Sequence, residues 1–255
     1  TRDAVKIGEV SLPRNISSDP EFVPSREVAW LVPTKNTIIN LEKVAQSILL
    51  NEPLLLVGET GVGKTSLVRF LAHLTNNNFR RFNLSGQTEK LEFIGGFKPT
   101  KEGIFKWHNG ILIMAMKRGH WLVLDEINLA PSQTLERLNS LLDDDGSLVI
   151  TEHENEKWIR AQAYDQKRDE AEKNSPQAIQ REPDGTEYLL INNTKLYRIH
   201  PNFRIFATMN PAEAEYAGRK VFSPALMNRF RVKWINELSR KEDLNEFLHI
   251  HPELK

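Results

Sequence analysis

Apolar and polar positions change period repeatedly along this chain. In "TIINLEKVAQSILL" (37–50), Leu41, Val44, Ala45 and Ile48 recur on one helical face. "PLLLVG" (53–58) is an unbroken apolar run stopped by glycine, which predicts a buried strand. Beyond it, Leu67, Phe70, Leu71 and Leu74 return to helical spacing. The alternation continues with a strand at "FRRFNL" (79–84), a helix at "GILIMAMKRG" (110–119) ended by its glycine, and a buried strand at "WLVL" (121–124). A helix follows at "APSQTLERLNSLL" (130–142), with Leu135, Leu138 and Leu142 on one face. Strands come next at "FRIFATM" (203–209) and "VKWI" (232–235), and "SRKEDLNEFL" (239–248) opens with Ser239 and Glu242 at capping-box spacing. Strands alternating with helices predict an α/β fold, a parallel five-stranded sheet with helices on both faces.

Two regions break the rhythm. Residues 1–36 carry Pro13, Pro20, Pro24 and Pro33 with little periodicity and read as an extended N-terminal lead-in. Residues 152–187 hold ten acidic and six basic side chains but few large apolar ones, so no core face stands out. That composition reads as a solvated, mobile insertion, with a partner-binding or pore-facing element as the alternative. "GSLVIT" before it and "EYLLI" and "KLYRI" after it are placed to pair as strands of a long hairpin.

Composition narrows the field without choosing within it. Hydrophobic residues make up 40% of the 255, enough for a sizeable core, and formal net charge is zero. No global basic field draws nucleic acid, so direct nucleic-acid binding is not expected. Cysteine is absent, which rules out disulfide and thiolate chemistry. The longest apolar runs, such as 111–116, are far too short to span a bilayer, and the first ten residues hold no signal-peptide core. A soluble intracellular protein without a membrane partner is expected, cytoplasmic or nuclear.

The chemistry is concentrated at strand ends. Gly58-Glu59-Thr60-Gly61-Val62-Gly63-Lys64-Thr65, followed by Ser66, matches G-x-x-x-x-G-K-[ST] in full, between a predicted strand and a predicted helix. The glycines let backbone N–H groups turn toward phosphate oxygens, and the helix N-terminus faces the same anion. Lys64 adds a full charge near the β- and γ-phosphates, and the Thr65 hydroxyl can ligate Mg²⁺. Asp125, ending "WLVLD", is placed to hold the magnesium shell, and Glu126 to orient or deprotonate a water. A helix N-cap is the other reading of those two acids. Asn210, directly after the "FATM" strand, either meets the attacking water and γ-phosphate or forms an Asn-Pro turn.

Taken together, "GETGVGKTSL", "LVLDEINLAPSQTLERLNSLLDDDGSLVITE", "HPNFRIFATMNP" and "SPALMNRF" resemble, in order and wording, the AAA+ ATPases of the dynein-related group. Midasin-type modules are the nearest resemblance and MoxR-type ATPases the second, over about residues 40–235. "NLSGQTEKLEFIGGFKP" also resembles the midasin-type stretch after the second strand. The resemblance implies a P-loop NTPase fold (the AAA+ large subdomain) with ATP and Mg²⁺ as cofactors. It further implies hydrolysis within a ring of such modules, commonly hexameric, that remodels protein or ribonucleoprotein complexes. By it, Lys64 and Thr65 are Walker A residues, Asp125 and Glu126 the Walker B pair, and Asn210 sensor 1. Arg229 takes the arginine-finger position, acting on the next module's nucleotide, with Arg219, Lys220 and Arg231 as nearby competitors.

The same resemblance sets the organisation. Residues 37–238 form the ATPase core, 94–112 a helix-2-type insertion expected as a protruding hairpin or a packed loop, and 152–198 a charged insertion before sensor 1. Residues 239–255 begin a helical lid or a tail, so the lid is expected to be truncated or mostly absent. Two alternatives stand beside hydrolysis: a nucleotide-binding structural module that turns over little, and a GTP-driven McrBC-like nucleic-acid motor. "NNTKLY" (192–197) lacks the aspartate of a guanine-reading motif, and the protein client is not named by any residue pattern.

Overall fold

The computed structural model describes residues 3–211 and 224–235. Two compact units divide the chain: one takes residues up to 86, 120–129 and those from 204 onward, the other 87–119 and 130–203. The predicted lid at 239–255, Arg219 and Lys220 lie outside the described residues.

The first unit holds the expected sheet. Its strands, in chain order, are β1 (Leu54–Val57), β2 (Phe79–Asn83), β3 (Trp121–Asp125), β4 (Arg204–Met209) and β5 (Arg231–Trp234). They lie in the spatial order β5-β1-β4-β3-β2, and every neighbouring pair is parallel. β1 and β3 are buried along their whole length, which is why they read as continuous apolar runs rather than alternating ones. Helix α1 (Lys35–Leu49) is capped by the Thr34 side chain and buries Leu41, Val44, Ala45 and Ile48, the face its periodicity predicts. Helix α2 (Lys64–Leu74) buries Leu67, Val68 and Leu71 in the same core as Leu54, Leu56 and Val123. In such a sheet, ligands bind beyond the carboxyl ends of the strands, where Gly58, Glu126 and Asn210 follow β1, β3 and β4.

The lead-in is more structured than its prolines suggest. Ala4–Ile7 and Val10–Pro13 pair antiparallel as a tight hairpin. Ile7, Val10 and Leu12 join the core beside α1, an alternation too short to stand out from the sequence.

The second unit corrects the reading of 152–187 as a solvated insertion. Leu148–Ile150, Glu156–Ile159, Thr194–Arg198, Glu187–Ile191 and Ile179–Arg181 form one five-stranded sheet in that spatial order. Helix Ala161–Asn174 buries Tyr164 and Ala171 in a core with Ile159, Leu189 and Leu196. The strands either side do not form one long hairpin. Glu187–Ile191 pairs with Thr194–Arg198, and Leu148–Ile150 with Glu156–Ile159. Charge organises the unit as well. Arg198 makes a two-contact pair with Asp165 at 2.7 and 2.8 Å, and Arg168 reaches Glu187 at 2.9 Å. Within 94–112, Gly95–Pro99 and Phe105–Asn109 pair antiparallel as a hairpin, with Phe97 and Phe105 more than half exposed.

Candidate nucleotide site

β1 runs straight into the glycine loop. The Gly58 N–H donates to the Met209 carbonyl at 3.2 Å, tying the loop to the end of β4. A Cβ at Gly58 would lie 2.3 Å from the Ile235 carbonyl oxygen, so this position needs glycine for close backbone approach. Gly61 (φ +89°) and Gly63 (φ +85°) need it for another reason: both are left-handed. The space where their side chains would stand is open, and this leaves a concave backbone surface ahead of α2, suited to phosphate.

Lys64 is buried in the first turn of α2. Its Nζ donates to the carbonyls of Gly58 (2.7 Å) and Glu59 (2.8 Å) and to Asn210 Oδ1 (2.8 Å). The other end of the same carboxamide, Asn210 Nδ2, donates to Glu126 Oε1 (2.9 Å) and Oε2 (3.2 Å). The amide is thus oriented by both neighbours, and the Asn-Pro turn reading does not account for it. Thr65 Oγ1 donates to Asp125 Oδ1 at 2.7 Å, and Thr208 Oγ1, from β4, donates to the same oxygen at 2.8 Å. Lys64, Asn210 and Glu126 are thus hydrogen-bonded in series, and Thr65 and Asp125 form a second pair. Thr208 joins the two, bonded to Asp125 Oδ1 and to the Glu126 N–H, so that a helix start and two strand ends contribute to one network. The helix after the acids begins at Ser132 with Pro131 before it, so neither acid caps it.

Glu126 has φ +57° although it is not glycine. Strained backbone of this kind collects at functional sites, held by its surroundings. Here the Glu126 N–H donates to Thr208 Oγ1 (3.3 Å) and its carbonyl accepts from Leu129 N–H (2.8 Å).

Three features went unread in the sequence. Thr208 buttresses Asp125 and Glu126 together; as one polar residue in an apolar strand, it carried a faint signal. Arg81, on β2, pairs through Nε with Asp125 Oδ2. Third, a cavity of about 570 Å³ opens beside the glycine loop, lined by Trp30, Val32, Asn36, Asn40, Gly61 and Ser66. Its volume is in the range of small-ligand pockets. Half its wall comes from the supposed lead-in and the start of α1, so the chain before β1 helps build the site.

Arg229 Nη1 donates to the Ala225 carbonyl (2.8 Å) in the short helix Pro224–Met227. Arg231 is held by Glu52 at 3.0 and 2.7 Å.

The donor set suits a hard divalent cation. One hydroxyl and one carboxylate, Thr65 and Asp125, stand at the mouth of a phosphate cradle, and Mg²⁺ favours few protein oxygens plus phosphate and water. Among the described residues, no group of three or more His, Cys, Asp or Glu gathers as a separate metal cage. Nor is any helix there long and apolar enough to cross a membrane.

Comparison with known proteins agrees with this geometry. The AAA domain family (dynein-related subfamily) matches residues 53–230. Midasin of Dictyostelium discoideum is 34% identical over 210 residues, covering 82% of this chain and 3% of that protein. Midasin of Giardia intestinalis is 33% identical over 218 residues, covering 84% of this chain and 4% of its own length. Mouse von Willebrand factor A domain-containing protein 8 is 28% identical over 220 residues, covering 86% of this chain and 10% of that protein. The chain thus spans a small fraction of each relative.

Proposed function

We propose, from the premise that this chain belongs to the dynein-related subfamily of AAA domains, that it is the ATP-hydrolysing module of a ring that remodels protein or ribonucleoprotein complexes. The observation that carries the reading is the hydrogen-bonded network of Lys64, Asn210 and Glu126 with Thr65 and Asp125, joined through Thr208. The glycine loop 58–65 cradles the triphosphate, and Ser66, on the cavity wall, lies at the phosphate end of the nucleotide. Thr65 and Asp125 would hold Mg²⁺, which supplies positive charge to the phosphate oxygens. Lys64 exchanges the Gly58 and Glu59 carbonyls for phosphate oxygens. Glu126 takes the proton of the attacking water, and Asn210 keeps Glu126 and that water in line. Trp30, Val32, Asn36 and Asn40 line the space for the nucleoside.

Arg229 serves as the finger for a neighbouring module. Partners of this kind make activity depend on assembly, because removing a finger typically costs about 10³–10⁵ in rate.

Steady-state ATPase activity against protein concentration tests the reading, with Glu126→Gln and Arg229→Ala as controls. Specific activity should rise with concentration and collapse in both variants while ATP binding survives. Activity that stays flat on dilution and persists in Glu126→Gln would sink it. Competition between ATP and GTP at equal concentration decides the base.

A further inference from the structure

Arg81 adds a cation that phosphate binding does not call for. Its Nε pairs with Asp125 Oδ2, while Thr65 and Thr208 both donate to Oδ1. The two partners differ sharply in exposure: the Asp125 side chain is 5% exposed and that of Arg81 47%. A buried carboxylate without a counter-charge is costly, so before a metal loads Arg81 supplies the charge that Asp125 needs. Yet a guanidinium and a divalent cation on one carboxylate repel each other. β2 is the edge strand of the sheet, and a half-exposed arginine there can leave to water at little cost.

We propose that Arg81 is a positioning residue for Asp125: it holds the carboxylate before metal loading, yields Oδ2 on loading, and so sets how much Mg²⁺ the site requires. The proposal rests on the reading of Asp125 as a magnesium ligand. An arginine that only satisfied a buried aspartate would stay in place, and its loss would lower stability without tightening metal binding.

Mn²⁺ binding, followed by electron paramagnetic resonance on the full chain with a non-hydrolysable ATP analogue, separates these roles. Arg81→Gln should bind Mn²⁺ about tenfold more tightly than the unaltered chain, the size of one screened unit charge a few ångströms away. Arg81→Lys, which keeps the charge, should stay within roughly threefold. Unchanged or weaker Mn²⁺ binding by folded Arg81→Gln overturns the proposal. Asp125→Asn marks the underlying reading: if it leaves Mn²⁺ affinity intact, the metal assignment fails and the proposal with it. If Asp125→Asn loses Mn²⁺ while Arg81→Gln shows no tightening, only the proposal fails. Should Arg81→Gln not fold, the unaltered chain still decides. Its Arg81 Nε–H resonance, assigned by its absence from Arg81→Lys, should move to a solvent-exposed position when Mg²⁺ and the analogue load. An unmoved resonance overturns the proposal.

Discussion

Asn210 bridges Lys64 and Glu126, accepting from the ammonium at 2.8 Å and donating to the carboxylate at 2.9 and 3.2 Å. Two oppositely charged groups of the proposed reaction are thus linked through one neutral amide. Removing it in Asn210→Ala frees the Glu126 carboxylate to rotate while the glycine loop remains. ATP affinity is expected to change by less than about fivefold, and kcat to fall by about 10², the scale of losing one preorganised polar contact. Asn210→Asp should behave differently. It sets a carboxylate against Glu126 and pairs Lys64 with a full charge, so ATP affinity should fall as well. Isothermal titration alongside steady-state kinetics checks both outcomes.

The loop glycines predict a second contrast. At Gly58 a methyl group meets the Ile235 carbonyl oxygen at 2.3 Å, and the neighbouring Ile235 N–H to Val57 carbonyl bond (2.8 Å) would shift with it. Gly58→Ala should therefore lower stability without nucleotide by about 1–3 kcal/mol, as overpacking does. Gly61→Ala meets open space, so its folding cost is the left-handed backbone alone, about 1–2 kcal/mol. Its larger effect should be on ATP binding, because the methyl group stands on the phosphate surface. Thermal melts should show both variants destabilised, and ATP titrations the larger loss of affinity in Gly61→Ala.

These glycines also show how far the sequence could be read. β1, β3 and β4 were legible because buried parallel strands read as near-continuous apolar runs, whereas the edge strands β2 and β5 were legible from their place in the alternation with helices. The loop was legible because its chemistry is fixed by spacing. Helix Ala161–Asn174 was not, because it buries Tyr164 and Ala171, two turns apart, with the small Ala163 packed beside them, among charged residues that pair with neighbouring strands. Ion pairs such as Arg198–Asp165 leave no periodic trace in a sequence. Arg81 escaped for a related reason: an arginine on an edge strand is ordinary until its partner is known to be Asp125.

The cavity beside the loop makes Trp30 a reporter. Its side chain is more than half exposed while lining that space. A base seated there would cover the indole, and base–aromatic contact is worth about 1–3 kcal/mol. Trp30→Ala is expected to weaken ATP about tenfold or more, with kcat at saturating ATP little changed. Trp30→Phe should recover most of the affinity. Nucleotide-induced fluorescence change should be lost in both, which separates Trp30 from the other tryptophans.

His200 predicts how the second unit responds to acid. Burial first, and then the charge of Arg198, hold its pKa below the ordinary 6.5. Geometry agrees, since Nδ1 accepts the Asn202 N–H at 3.1 Å and can do so only when unprotonated. Between the lowered folded value and 6.5, the unfolded chain binds more protons than the folded one, so stability rises with pH there. The contribution is complete above 6.5 and is lost as pH falls through the folded value. Glu156 works in the opposite sense. Burial raises its pKa above 4.5 despite the His153 hydrogen bond, so its contribution is present below 4.5 and lost as pH rises through the raised value. The whole-chain melting curve mixes the two, but the difference between the unaltered chain and His200→Gln isolates His200. Glutamine keeps an acceptor near Asn202 and does not titrate. The unaltered chain should lose melting temperature faster than His200→Gln on acidification from pH 7 to 5. Parallel pH dependence in the two would show that His200 titrates alike in the folded and unfolded chain.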